Sequence, residues 1–233
     1  WPNNATVTVV GDFDPATVLA QIKQNYGAIP HSPQPIPEVY TVEPEQQGAR
    51  RVTVQRAAAS PALMIGYKVP SARNPDAAAL TVLGLVLQSG KSSRLSRALV
   101  DTSLVTEVAA DMPLLHDNSL FTVGAMLVPG VAPKKVEDIV LAEIDRIRQH
   151  GVEPAEIGRA LGPYRAEQAY LRDGTGATAA ALNEYIAMGD WTLYDRFLGQ
   201  LEKVTPADVQ RVAKKYLLEN RSTTGWFVPE ASK

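Results

Sequence analysis

The chain has 233 residues, a net charge of −2 and a sequence pI near 6.0, so it lacks the clustered Lys and Arg of a nucleic-acid or anionic-membrane surface. Hydrophobic residues make up 45%, enough for one large domain, or one domain with a fragment of another. Cysteine is absent, which excludes disulfide staples and thiolate metal sites. The longest apolar stretch, "ALTVLGLVL" at Ala79–Leu87, is too short to cross a bilayer.

No basic stretch precedes an apolar run at the start, so no export signal is read there, and the opening on Trp1 points to a trimmed piece. "ATVTVVG" (Ala5–Gly11) reads as a strand from its Val and Thr content. "DPATVLAQIKQNYG" reads as a helix, with Asp14 as N-cap, Pro15 in the first turn and Gly27 past the end. Val18, Ile22 and Tyr26 then share one face. From Ile29 to Glu45 five prolines remove backbone donors and favour extended chain, which marks a linker.

After the linker, "RRVTVQR" (Arg50–Arg56) and "PALMIGYKVP" (Pro61–Pro70) read as strands, and Asn74–Gly90 reads as a helix capped by Asn74. "SSRLSRALVDTS" continues as a second helical stretch. "VTEVAADM" and "SLFTVGAMLVPG" are two more strands around the loop "PLLHDN". "APKKVEDIVLAEIDRIRQHG" is a helix whose stripe is Val136, Val140, Ile144 and Ile147. In "EPAEIGRALGPYRAEQAYLRDG" Pro163 is expected to kink or divide the helix. Two short helices follow, then "TPADVQRVAKKYLLEN", capped by Thr205 with Val209, Val212, Ala213, Tyr216 and Leu217 inward. The chain closes on a strand, "STTGWFVP". Strands and helices come in runs without βαβ alternation, which predicts an α+β fold: an antiparallel sheet covered on one face by helices.

The chemical candidates are few. His31, His116 and His150 lie far apart in sequence, so no helical His-x-x-x-His or His-x-x-Glu-His pair exists. "GLVLQSGKSS" (Gly84–Ser93) has its first glycine one residue too early for a phosphate loop and follows a helix, not a strand. "VVGDFDP" lacks the further glycines of a dinucleotide site, and Asp12 and Asp14 would repel a phosphate. No Gly-x-Ser-x-Gly elbow marks a nucleophile. Glu137 and Asp138, between Lys134 and Arg146, are expected on a solvated helix face. The closing "KKYLLENRSTTGWFVPE" echoes the opening "WPNNATVTVVGDFDP", so the opening reads as the last strand of a preceding copy of the same domain.

The segments "PNNATVTVVGDFDPATVLAQIKQNYGAIP", "LGLVLQSGKSSRLSRALVDTSLVTEVAAD", "GVEPAEIGRA" and "VTPADVQRVAKKYL" resemble, in order and spacing, the pitrilysin/insulinase zinc peptidases, which include the mitochondrial processing peptidases. Ser93, Arg94 and Leu95 match that family's structural Ser-Arg-Leu motif. The resemblance implies a metallopeptidase-type α/β roll, one of two similar halves that close around an unfolded peptide. It implies three parts here: residues 1–28 ending the preceding half, a linker at 29–49, and a C-terminal domain at 50–233. Zinc, with its His-x-x-Glu-His helix, would sit in that preceding half, and no metal ligand, cofactor-binding or catalytic residue is assigned to this chain. The family's carbonyl-polarising Arg and Tyr would fall at Val100 and Glu107, and neither matches.

The implied role is the non-zinc half of an endopeptidase, inactive alone, with Phe121, Val123 and Ala125 as the candidate chamber-wall strand. The expected partners are the zinc-bearing half, a homologous subunit and unfolded peptide, with no nucleic acid and no membrane span. A non-catalytic assembly subunit or a peptide-binding module of the same fold are the alternatives. By analogy with exported bacterial members, the expected compartment is the periplasm, with the cytoplasm as the alternative.

Overall fold

The computed structural model describes residues 1–37 and 44–230. Strands β1 (Arg50–Arg56), β2 (Ala62–Val69), β3 (Val105–Asp111), β4 (Ser119–Leu127) and β5 (Ser222–Pro229) form one sheet in the order β1-β5-β2-β4-β3. The class is α+β, as the runs of like elements predict. The sheet is not wholly antiparallel, however: β2–β4, β2–β5 and β3–β4 are antiparallel, whereas β1 runs parallel to β5. The cause is topological. β1 and β2 are consecutive and run in opposite directions, and the closing strand inserts between them, so it must lie parallel to one of the two.

One face of the sheet is dry. Leu63, Ile65, Tyr67 and Val69 alternate inward along β2, and Phe121, Val123, Ala125 and Leu127 do so along β4. They meet helices α2 (Ala77–Gln88), α3 (Pro133–His150) and α7 (Pro206–Tyr216). Burial pushes the Tyr67 hydroxyl well above the usual tyrosine range. α2 is apolar on all sides and is buried accordingly, packing on β3 and on helices α4 (Pro154–Leu171), α6 (Leu193–Leu201) and α7. At Gly84 an added Cβ would come within 2.8 Å of the Ala110 carbonyl oxygen, so glycine is what lets α2 lie close on β3. In α3 the stripe Val136, Val140, Ile144 and Ile147 is buried as read. Thr205 caps α7 by accepting from Asp208 N at 3.2 Å, and Asp208 Oδ2 accepts in return from Thr205 N at 3.1 Å.

Three expectations are corrected. Glu137 is not on a solvated face. It is 1% exposed and accepts from Arg51, Thr224 and Trp226, tying α3 to β1 and β5, while Asp138 alone is solvated and pairs with Lys134. Helix α4 is not divided at Pro163 but continues to Leu171. The stretch after Gly90 forms only a short helical segment ending in a π turn at Ser96–Val100, released by Ser103 in the left-handed region.

The opening differs most. Pro2–Asn4 is a 3₁₀ turn, and residues 5–10, read from the sequence as a strand, have no regular secondary structure and pair with no strand among the described residues. Helix α1 (Pro15–Tyr26) forms with Asp14 as its cap, Oδ1 accepting from Thr17 N at 2.8 Å, yet it buries no residue fully. Val18 and Ile22 are half-buried and Tyr26 is exposed. The segment touches the body where Thr8 Oγ1 donates to Asn183 Oδ1 at 2.6 Å, on α5 (Thr175–Ala187). Residues 38–43 of the predicted linker lie outside the described residues.

Candidate functional site: the uncovered face of the sheet

Strand alternation leaves the second face of the sheet without helices, and its residues follow from the register. One row across the strands reads Val54, Phe227, Ala62, Met126, Glu107. The next reads Val52, Gly225, Met64, Gly124, Ala109, and a third reads Arg50, Thr223, Gly66, Thr122, Asp111. Each of the three central strands therefore carries one glycine on this face.

Glycine weakens a strand interior, because it loses the most chain entropy and offers nothing to pack. Contacts within this chain do not require it at these positions. A Cβ added at Gly66 or Gly124 meets nothing within 4 Å, and at Gly225 the nearest atom is Met64 O at 3.9 Å. The effect is a low floor. Between Val54 at one end and Glu107 at the other lies an open trough of about 540 Å³, floored by Gly124 and Gly225 and bordered by Met64, Met126 and Phe227. Val52, Val54, Met64, Leu120 and Met126 stand exposed on this face, with Met64 58% exposed. A contiguous apolar surface of this kind on a sheet face marks a place where something else binds.

Of the candidate wall residues, Phe121 and Val123 are fully buried in the helical core, whereas Ala125, although buried, also borders the trough. Leu120, Thr122, Gly124 and Met126 are the β4 residues that face outward, one step out of phase.

Ser93, Arg94 and Leu95 lie in the helical layer. Leu95 is fully buried, and Ser93 Oγ accepts from Ser96 N at 3.4 Å. Arg94 donates to both oxygens of Glu156 at 2.8 Å and to Gly151 O at 3.2 Å. This joins the motif to the α3–α4 turn, two segments far apart in sequence. The Arg94 hydrogen bonds hold the Glu156 carboxyl below the usual range, against the opposing effect of burial. Asp76, before α2, is a second acid held below its usual range within the helical layer. Burial alone would raise it, but bonds from Lys215, Tyr216 and Arg211 bring it down to about 2. Both acids serve the packing of helices and neither borders the trough.

His31, His116 and His150 are not brought together. Among the described residues no group of three His, Asp or Glu is placed to hold a metal ion, so the described side chains do not fit a zinc site. No helix among the described residues is long and apolar enough to cross a membrane. Of the two places where a polarising Arg and Tyr would fall, Val100 ends the π turn, whereas Glu107 stands at the rim of the trough. Sequence reading missed the floor of the site. The signal was a single glycine inside each of three predicted strands, a pattern that marks close approach of another backbone or ligand.

Residues 2–162 match the family model described as the Peptidase M16 inactive domain. The chain is 27% identical over 231 residues to the zinc protease PqqE of Helicobacter pylori, covering 98% of this chain and 52% of that protein. It is 28% identical over 232 residues to an uncharacterized zinc protease of Streptomyces coelicolor, covering 93% and 48%. The crystal structure of a protease from Helicobacter pylori superposes with a TM-score of 0.87 at 26% identity, covering 94% of this chain and 54% of that one. An inactive peptidase domain from Bordetella parapertussis superposes at 0.69 and 28% identity, covering 77% and 96%. The chain thus spans about half the length of the curated relatives it matches.

Proposed function

The chain belongs to the family described as the Peptidase M16 inactive domain, and from that premise we propose that its uncovered sheet face is one wall of a chamber that holds an unfolded peptide. The opposite, zinc-bearing wall is assigned to a preceding half of a longer protein. The observation that carries this reading is the glycine-floored trough. Gly124 and Gly225 keep its floor low, Gly66 does the same for the neighbouring row of the face, and nothing among the described residues fills the space. A peptide backbone laid over such a floor approaches closely and covers Met64, Met126 and Phe227.

Two further observations support the division of labour. The chain spans about half the length of relatives named zinc proteases, and its described side chains do not fit a metal site. At the rim of the trough stands Glu107, a carboxylate that cannot donate to a developing oxyanion in its ionised form, so this wall supplies containment and not chemistry. The strand-like sequence at residues 5–10, unpaired among the described residues, and the unburied helix α1 are read as parts of the preceding half's sheet and helix layer.

The test is a titration of an extended, uncharged decapeptide into the isotope-labelled chain. Saturable movement of the Gly66, Gly124 and Gly225 amide resonances, abolished by Gly124→Val, supports the wall. Movement of none of the three removes it.

A further inference from the structure

The uncovered face is charged at its two edges, with opposite signs, and of these charges Glu107 alone borders the trough itself. Glu107 ends the row that starts at Val54, and Asp111, which accepts from Thr122 Oγ1 at 2.9 Å, ends the next row but one. At the far side Arg50 and Arg56 project from β1 on the same face as Val52 and Val54, by strict alternation. Arg51 is excluded from this set: it points to the other face, held by Glu137. Lys68 is on the trough's face but lies beyond it, opposite Leu120. The arrangement is therefore acidic at the β3 edge and basic at the β1 edge, with the apolar trough between Val54 and Glu107 and the polar row Thr223, Gly66, Thr122 between Arg50 and Asp111.

We propose that the trough orients an extended peptide crosswise, with a positively charged end at Glu107 and Asp111 and a negatively charged end at Arg50 and Arg56. This rests on the reading of the face as a peptide wall. Four strand spacings of about 4.8 Å separate the two edges, roughly 19 Å. An extended chain covers that with about six residues at roughly 3.3 Å each. Three or four apolar residues in the middle then lie over Met64, Met126 and Phe227. Each ion pair at such exposed positions contributes little by itself. Turning the peptide around, however, converts attraction into repulsion at both ends together, so the orientation is selected more strongly than either contact is formed.

A plainer role for the same charges is to keep the two edge strands from pairing with other chains. That role requires charge at the edges but no particular sign at either one, and it makes no distinction between peptides.

The experiment uses four blocked eight-residue peptides with a common apolar centre. One carries two Lys at one end and two Asp at the other, one has Lys at both ends, one Asp at both ends, and one Gln at both ends. At low salt the dipolar peptide is expected to bind the chain about tenfold tighter than the two like-charged peptides, with the preference shrinking as salt rises. A spin label on its Lys end is expected to broaden the Ala109 amide, and one on its Asp end the Val52 amide. The variant Glu107→Lys/Asp111→Lys/Arg50→Glu/Arg56→Glu is expected to exchange the two patterns, and Glu107→Gln/Asp111→Asn to abolish the preference with little effect on folding. Equal affinity for all four peptides, with both labels broadening both edges, overturns the orientation and leaves the wall reading standing. No binding of any peptide overturns both. Self-association in sedimentation, with the same resonances moving as chain concentration rises, makes a second copy the occupant and overturns the proposal.

Discussion

Arg94 grips Glu156 through two parallel hydrogen bonds, Nε to Oε1 and Nη2 to Oε2, both 2.8 Å long, with the two side chains only 16% and 13% exposed. The same carboxylate accepts from Glu153 N at 2.8 Å, closing the first turn of α4. One ion pair thus fixes the chain after α2 against the start of α4.

Because the pair is bidentate and poorly hydrated, Lys is not an equivalent of Arg at position 94. Arg94→Lys is expected to lower the unfolding free energy by about 1–2 kcal/mol. Arg94→Ala, which leaves Glu156 without its cation, is expected to cost about 2–4 kcal/mol. Urea denaturation measures both. In a double-mutant cycle Arg94→Ala/Glu156→Ala should cost clearly less than the sum of the two single changes, and strict additivity would show that the pair is not coupled.

Asp76 has the largest acid shift that carries a stated value, down to about 2 from an ordinary 3.8. The folded value is the lower one, so the ionised carboxylate stabilises the fold fully above about pH 4. That contribution drains as pH falls towards 2. After allowance for the exposure of Arg211 and Lys215, it amounts to roughly 1–2 kcal/mol. Asp76→Asn should remove this amount at pH 7 and flatten the stability profile between pH 4 and 2. A profile parallel to that of the unsubstituted chain would contradict the assignment.

Two glycines are expected to respond in opposite ways. At Gly84 the added methyl meets the Ala110 carbonyl oxygen at 2.8 Å, between two packed backbones, so Gly84→Ala should destabilise by about 1–3 kcal/mol. At Gly124 it meets nothing, and the strand gains a residue with less entropy to lose, so Gly124→Ala should leave stability unchanged or raise it by up to about 1 kcal/mol. Thermal melts of the two variants separate a glycine held by packing from one that keeps a surface low.

Zinc should not remain with the chain. After dialysis against buffered zinc and then against metal-free buffer, atomic emission is expected to find no stoichiometric metal, since no group of described side chains is placed to retain it. One zinc per chain would place a metal site within these 233 residues.

The sequence by itself determined most local structure. Asp14 and Thr205 cap the helices assigned to them, and the stripe Val136, Val140, Ile144, Ile147 faces inward, because caps and helical periodicity are short-range properties. The order of strand and helix runs also fixed the α+β class. Tertiary structure decided what depends on partners distant in the chain. Glu137 looked solvated beside Lys134 and Asp138, and only the arrival of β1 and β5 gives it Arg51, Thr224 and Trp226. The face of β4 was legible as an alternation but not in its sense. A strand's two sides are equivalent until helices cover one of them, and here they cover Phe121 and Val123 and leave Leu120 and Met126 out. The floor of the trough forms where Gly225 and Gly124, from strands far apart in sequence, flank Met64 in one row of the register.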